Sequence, residues 1–307
     1  MPVTKLRVAY IPEHFSTPLF FAEQQGYYKS YGLEIEWVKV IEGSGRLIKL
    51  LNENEVDIAI GLTEAFVADI AKGNDSYKLI DTYVKSPLLW AISTGSKRGE
   101  LTTAEQLQGK SIGVSRIGSG SYVMSFVLAH HLKFNKPFSS FPILSNFKNL
   151  RDSVNQKFDS DNELQNSDAF MWEYFTSKKY YDNKEIKQIG EIYTPWPSWV
   201  INVTNKALTA NKQAIKDFIT SVNQGVAYYN KNVDEAVEYI GTNLDYSKED
   251  AREWSKTVKF NDQLGEAELD WESVVTKTSE ILKLAGVLSD EDTVISQRLQ
   301  EGVVKKL

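Results

Sequence analysis

Leu33-Glu34-Ile35-Glu36-Trp37-Val38-Lys39-Val40 alternates apolar with charged residues, the two-residue period of a half-buried strand. Upstream, Leu19–Tyr28 has helical spacing and closes near Gly26, and before it the short β-branched run Leu6–Ile11 reads as another strand. Strand, helix, strand makes one βαβ unit, so a parallel sheet with crossover helices is expected.

The alternation continues outward from this unit. Gly43-Ser44-Gly45 opens a helix over Arg46–Asn52, Val56–Ile60 is a strand, Thr63 caps a helix over Glu64–Lys72, and Tyr77–Val84 returns as a strand. A second sheet begins with strand Leu88–Ser93, a capping box at Thr103-Ala104-Glu105-Gln106 and strand Ser111–Val114. After the loop Ser115–Ser121 comes a helix carrying Val123, Phe126, Val127, His131 and Phe134, then a polar surface helix and loop over Asn149–Asp168. Strand Asp168–Met171 and helix Trp172–Lys179 follow. Strands Ile186–Tyr193 and Val200–Val203 flank Thr194-Pro195-Trp196-Pro197-Ser198-Trp199, whose two prolines stiffen a crossing. From Asn205 the pattern is helical: Ile215, Phe218, Ile219, Val222, Val226 and Tyr229 form one stripe. Further helices are expected at Val233–Gly241, Ser247–Thr257, Glu266–Ala285 and Asp290–Lys305.

Composition bounds the function. At 307 residues the chain has room for about two folding units. Apolar residues at 42% with 25% charged are the balance of an ordinary soluble globular protein. The net charge of −6 repels phosphate backbones and anionic lipid heads, so neither nucleic acid nor a membrane surface is an expected partner. Without Cys there is no disulfide and no thiolate, and three His (His14, His130, His131) do not suggest a metal cage, so no metal is expected. The best apolar run, Pro87-Leu88-Leu89-Trp90-Ala91-Ile92, is far short of the ~20 residues that span a bilayer and suits a buried strand. Met1–Pro12 runs directly into a strand with no secretory pattern, so the expected location is cytoplasmic, or periplasmic or secreted only if a signal was removed.

The candidate ligand contacts sit in loops that follow strands. In Ser115-Arg116-Ile117-Gly118-Ser119-Gly120-Ser121, small residues before a helix leave backbone N–H groups able to meet an anion, with Ser119 and Ser121 hydroxyls and the Arg116 charge in support. Turn geometry alone also explains such glycines, and the loop is neither a Walker lysine loop nor a dinucleotide fingerprint. His14-Phe15-Ser16-Thr17-Pro18 follows the first strand at its carboxyl end, where open α/β sheets place ligands. This makes His14, Ser16 and Thr17 candidates, with a solvated surface histidine as the plain alternative. Ser44, Thr63 and Glu64 occupy the same rim, although capping explains Thr63 as well. Trp90, Trp172, Trp196 and Trp199 can stack on a flat ligand or simply pack a core, while Trp254 and Trp271 read as packing. Glu173 can accept from a ligand amine or serve as a first-turn helix acid. His130 and His131 read as structural or surface residues. No Gly-x-Ser-x-Gly nucleophile elbow occurs, so no catalytic residue is assigned.

Several segments together resemble a known superfamily. Gly26-Tyr27-Tyr28-Lys29-Ser30-Tyr31-Gly32-Leu33-Glu34-Ile35-Glu36-Trp37, Gly43-Ser44-Gly45, Glu55-Val56-Asp57-Ile58-Ala59, Leu107-Gln108-Gly109-Lys110-Ser111-Ile112-Gly113-Val114 and Ser167-Asp168-Ala169-Phe170 occur in that order. The set resembles the type 2 periplasmic-binding-protein superfamily, in the branch of alkanesulfonate- and taurine-binding proteins and the thiamine-pyrimidine synthases. That resemblance implies a two-lobed α/β fold, each lobe a doubly wound, mostly parallel sheet flanked by helices, with two crossing strands at a hinge. Lobe one is expected at 1–90 plus 200–307 and lobe two at 91–199, with a ligand held between them and closure by hinge bending.

Departures choose among members. Where the pyrimidine synthases carry a histidine ahead of a Pro-x-Phe-x-Ala-like stretch, this chain has Ser16 before Thr17-Pro18-Leu19-Phe20-Phe21-Ala22. Where they hold pyridoxal phosphate on a lysine, Gly61-Leu62-Thr63-Glu64 stands. Where their cysteine-rich run falls, this chain reads Pro195-Trp196-Pro197-Ser198-Trp199. The first expectation is therefore an orphan, non-enzymatic binder of a small anionic or zwitterionic, ring-bearing metabolite, with no cofactor and no transporter partner. The alternatives are an enzyme of thiamine-pyrimidine or related cofactor biosynthesis using His14 and Glu64 as acid and base, and an exported solute receptor of an ABC-type transporter.

Overall fold

A computed structural model of the chain describes residues 3–135 and 138–307. The chain divides into two compact units, one comprising Met1–Ser86, Trp196–Ser279 and Ser289–Leu307, the other Pro87–Pro195 and Glu280–Leu288. The expected lobe boundaries, after Trp90 and after Trp199, lie a few residues further along. Trp90 thus falls in the second unit, and Trp196 and Trp199 fall in the first.

The strands are β1 (Thr4–Tyr10), β2 (Leu33–Lys39), β3 (Ile58–Leu62), β4 (Tyr77–Val84), β5 (Leu89–Gly95), β6 (Ile112–Gly113), β7 (Ala169–Glu173), β8 (Ile186–Tyr193) and β9 (Trp199–Thr204). The first unit holds a five-stranded sheet in the order β2-β1-β3-β9-β4, the second a four-stranded sheet in the order β6-β7-β5-β8. In the first sheet β1 is parallel to β2 and β3, while β9 runs against both β3 and β4. In the second, β6 and β7 are parallel and β5 runs against both β7 and β8. Each sheet therefore has one reversed strand, β9 or β5, and all its other strands share a direction. The expected mostly parallel character holds for strand direction but not for every pairing. Because the reversed strand sits inside its sheet, it makes antiparallel ladders on both sides.

The helical stripe of the C-terminal region forms as its spacing predicts. Ile215, Phe218, Ile219, Val222, Val226 and Tyr229 are all buried on helix Lys212–Lys231, which packs on helix Thr17–Gln24. The approach is close enough that a Cβ at Gly225 would stand 2.2 Å from the Pro18 carbonyl oxygen, so only glycine fits there.

Other elements differ from the sequence expectation. The Leu19–Tyr28 helix is two pieces, Thr17–Gln24 and Tyr27–Ser30, interrupted at Gly26. Trp172 and Glu173 belong to β7 and not to the following helix, because ladder pairing of Ala91 with Trp172 and Trp90 with Glu173 outweighs the local helix signal. Glu266–Ala285 resolves into a π-turn over Glu272–Thr276 and a helix over Lys277–Leu284. The Thr103–Gln106 capping box is made, but on the short 3-10 turn Ala104–Leu107.

Candidate functional site

Since β1 to β4 share one direction, their carboxyl ends Tyr10, Lys39, Leu62 and Val84 come to one edge of the first sheet, and β9 starts there, with Trp199 in register with Leu62 and Val84. The segments after β1, β2 and β3 and before β9 carry His14, Ser16, Thr17, Ser44, Thr63, Glu64 and Trp196, and β9 opens on Trp199, so the structure gathers these predicted residues of the first unit on one rim.

Most of them are committed to holding that rim together. His14 is 0% exposed, sandwiched between Tyr246 at 4.3 Å and Trp254 at 4.2 Å with the three rings nearly parallel, so the solvated-surface alternative is overturned. Ser16 Oγ donates to the Glu13 carbonyl at 2.6 Å, and Thr17 Oγ1 donates to the His14 carbonyl at 2.7 Å, fixing the turn after β1. Ser44 Oγ accepts from the Leu62 amide at 3.2 Å, and the Thr63 hydroxyl donates to the Pro197 carbonyl. Buried Trp196 donates its indole N–H to Glu64 Oε2 at 3.0 Å. The carboxylate of Glu64 is thereby positioned from the far side of the sequence.

The second unit repeats the layout. β6, β7 and β8 end at Gly113, Glu173 and Tyr193, and β5 enters at the same edge with Trp90 opposite Glu173 and Ile192. Trp90 and Glu173 therefore share one face of the sheet, whereas Trp172, one residue away, points to the other. There Trp172 stacks on Phe147 at 4.9 Å and joins the core of Leu144, Leu150, Val154, Phe170 and Ile186. Glu173 ends its strand and caps the next helix, Oε2 accepting from the Thr176 amide at 2.7 Å. Its reading as a first-turn helix acid is thus corrected to a capping residue.

The glycine–serine loop opens helix Gly120–His131. Gly118 holds φ at +80°, in the left-handed region, and Arg116 Nη1 lies beside it, 3.8 Å from where a Cβ would be. Ser119 is the cap: its amide donates to the Arg116 carbonyl at 3.1 Å, while its Oγ accepts from the Tyr122 amide at 3.3 Å and pairs with Ser121 Oγ at 3.0 Å. The amides of Gly120 and Ser121 have no acceptor among the described residues. They are the positive end of the helix dipole. His130 and His131, at the other end of this helix, are exposed.

Sequence reasoning did not find Tyr246, the second face of the His14 sandwich, because nothing local marks a partner that distant in the chain. It also passed over Asp81, buried in β4, which accepts from the Gly265 amide at 2.7 Å, the Thr82 amide at 2.8 Å and Asn261 Nδ2 at 3.2 Å. A lone carboxylate inside the apolar run Leu79-Ile80-Asp81 was the available signal. Among the described residues no group of three or more His, Cys, Asp or Glu could hold a metal ion, and no helix is long and apolar enough to cross a membrane.

Two α/β units, each a sheet of co-directional strands interrupted by one reversed strand, define the periplasmic-binding-protein fold. Over 99% of this chain and 97% of the other, the structure is 65% identical in sequence to the Candida albicans CA3427 gene product, with a TM-score of 0.93; that protein is described as defining a new family with the generic periplasmic binding protein fold. This chain belongs to that family. The profile of the Ca3427-like PBP family matches residues 90–192, and that of the NMT1-like family matches residues 1–88. The alkanesulfonate-binding protein SsuA of Xanthomonas axonopodis pv. citri, bound to MOPS, shares the fold at 14% identity over 99% of each chain, with a TM-score of 0.75. The periplasmic nitrate-binding protein NrtA of Synechocystis does so at 14% identity over 97% of this chain and 86% of that one, with a TM-score of 0.71. A search of curated proteins finds no match.

Proposed function

We propose that this chain binds a small anionic or zwitterionic solute and releases it unchanged, with the hinged closure implied by the resemblance as its working motion. The observation that carries the proposal is the loop Ser115–Ser121, where a buried serine cap leaves the Gly120 and Ser121 amides at a helix N-terminus without an acceptor among the described residues. Similar folds described as binding an alkanesulfonate buffer and nitrate support an oxyanion as the class of solute.

Thermal unfolding in the presence of MOPS, taurine, nitrate and small carboxylates tests the reading, alongside mass spectrometry of molecules released from the denatured protein. A solute at ~100 times its Kd should stabilise the folded chain by about 3 kcal/mol, a shift of several degrees in Tm. Ser119→Asp is the sharp variant: aspartate keeps the cap but sets a negative charge at the amides, so stabilisation by the solute should vanish. An undiminished shift in this variant removes the loop from the site, and turnover of the released molecule by purified protein would replace binding with catalysis.

A further inference from the structure

We propose that the first unit carries a separate ligand site at the amino end of its edge strand β2: a cavity that takes a small zwitterion with an apolar body, the chemistry of a free aliphatic amino acid. The ligand's ammonium meets Glu23 and its carboxylate meets Lys29. The Ser115–Ser121 loop belongs to the other unit, and this site stands or falls without it.

The cavity follows from how the first βαβ crossover is built. Helix Thr17–Gln24 is interrupted at Gly26, and a single turn, Tyr27–Ser30, leads into β2. β2 is the edge strand of its sheet, and Leu33, Ile35 and Trp37 point to one face of it, where Phe20 and Tyr28 meet Trp37. Leu33 is buried there, whereas Ile35 and Trp37 are only half-buried. Beside them lies an open cavity of about 400 Å3, lined in part by the apolar Leu33, Ile35 and Tyr28 and by the charged Glu23, Lys29 and Glu34. Its size is within the range of small-molecule pockets, roughly 300–1,000 Å3. Leu33 opens β2, so the cavity sits at the opposite end of the strand from the rim, which β2 reaches at Lys39.

The charges on this lining are left unmatched. Glu23 Oε2 accepts the Trp37 indole N–H at 2.8 Å, which orients the carboxylate. Among the described residues no cation pairs with Glu23 and no carboxylate pairs with Lys29, although both line the same cavity. Burial raises Tyr10, Tyr28 and Tyr239 above the ordinary phenol range, and the Glu23 charge adds to that rise. Elsewhere in this unit exposed charges find each other, Lys5 with Glu36 at 2.8 Å and Lys49 with Glu53 at 3.8 Å. Opposite charges that line one cavity without meeting are matched by a ligand that bears both, while its aliphatic body covers the apolar part of the lining. An amine without an acid leaves Lys29 unmatched, and an acid without an amine meets the carboxylates of Glu23 and Glu34.

The test uses the full chain with L-leucine as probe. One control, 4-methylpentanoate, is the same skeleton without the ammonium, and the other, 3-methylbutylamine, the same skeleton without the carboxylate. In 1H–15N spectra the Trp37 indole signal, identified by its loss in Trp37→Phe, should move with leucine, because an ammonium on Glu23 weakens the hydrogen bond that its carboxylate accepts. Neither control should move it at the same concentration. Glu23→Gln keeps an oxygen for Trp37, and Lys29→Met keeps the stem. Each should weaken leucine binding about three- to tenfold by calorimetry, between the loss of an exposed ion pair and that of a charged hydrogen bond. A Trp37 signal unmoved through millimolar leucine means that water alone matches these charges, and overturns the site. Equal binding of 3-methylbutylamine with no effect of Lys29→Met overturns the zwitterion in favour of a simple cation. Leucine that binds without moving the Trp37 signal binds elsewhere, which overturns the site as well, and none of these outcomes touches the reading of the Ser115–Ser121 loop. The wild-type spectra with the two controls decide the matter if either variant does not fold.

Discussion

The two carboxyl-end rims are built to the same plan and put to different use. In the first unit the rim is closed on itself: His14 is locked between two rings, Trp196 and Glu64 hold each other, and the hydroxyls of Ser16, Thr17, Ser44 and Thr63 all have backbone partners. In the second unit the corresponding loop keeps two helix amides without acceptors among the described residues. Polar residues after a strand thus identify a rim reliably, but whether they serve the fold or a ligand depends on which partners the rest of the chain brings. Trp199 and Trp90 add buried indole N–H groups with no acceptor among the described residues.

That difference can be attacked by substitution. The largest effect is expected from Trp196→Ala, which empties a buried indole site and removes the donor to Glu64, and should cost about 3–5 kcal/mol in urea unfolding. A loss under about 1 kcal/mol would show that the first rim is not self-supporting.

The pH response separates the units next. Burial pushes Asp81 in the first unit up to about 6, against the pull of the Gly265 and Thr82 amides. Its folded form therefore holds more protons than the unfolded chain between about pH 4 and 6, so lowering the pH from 7 through that window should stabilise the first unit, by on the order of 2–3 kcal/mol. Asp168 in the second unit shifts the other way. Burial raises it, but the Ser111 amide and hydroxyl and the Arg98 guanidinium outweigh burial and hold it below the ordinary carboxylate range. Its contribution is present above about pH 4 and is lost as acid protonates it. Hydrogen exchange followed from pH 7 to 4 should show protection rising around β4 and no such rise around β7, and Asp81→Asn should flatten the first trend. Parallel trends in both units would refute the assignment.

His14→Ala should cost about 2 kcal/mol, the value of two lost ring contacts, and should leave the effect of solute at the Ser119 loop intact. Smallest is Ser119→Ala, about 1 kcal/mol for a lost helix cap. Its stability loss should be modest beside its effect on solute binding, and the reverse ranking would place Ser119 with the structural serines of the first rim.

Much of this was legible in the sequence for identifiable reasons. The alternation Leu33–Val40 and the stripe Ile215–Tyr229 are local periodicities, and one sequence window contains all the information they need. The Thr103–Gln106 box follows from residues three apart. The Trp172–Glu173 boundary went wrong because a ladder partner some eighty residues upstream, in β5, decided it. The His14 sandwich was hidden for the same reason, since Tyr246 and Trp254 reach it only after the C-terminal helices fold back.

By itself the sequence determined the elements, the α/β class and the loops that face the rims, because hydrophobic period, capping and glycine conformation act over a few residues. Only the tertiary structure decided which strand in each sheet is reversed, which polar groups are spent on the fold and which indole N–H groups are left over. Those outcomes depend on hydrogen-bond partners from distant parts of the chain, and a buried donor has its acceptor or lacks it only once the whole unit has closed around it.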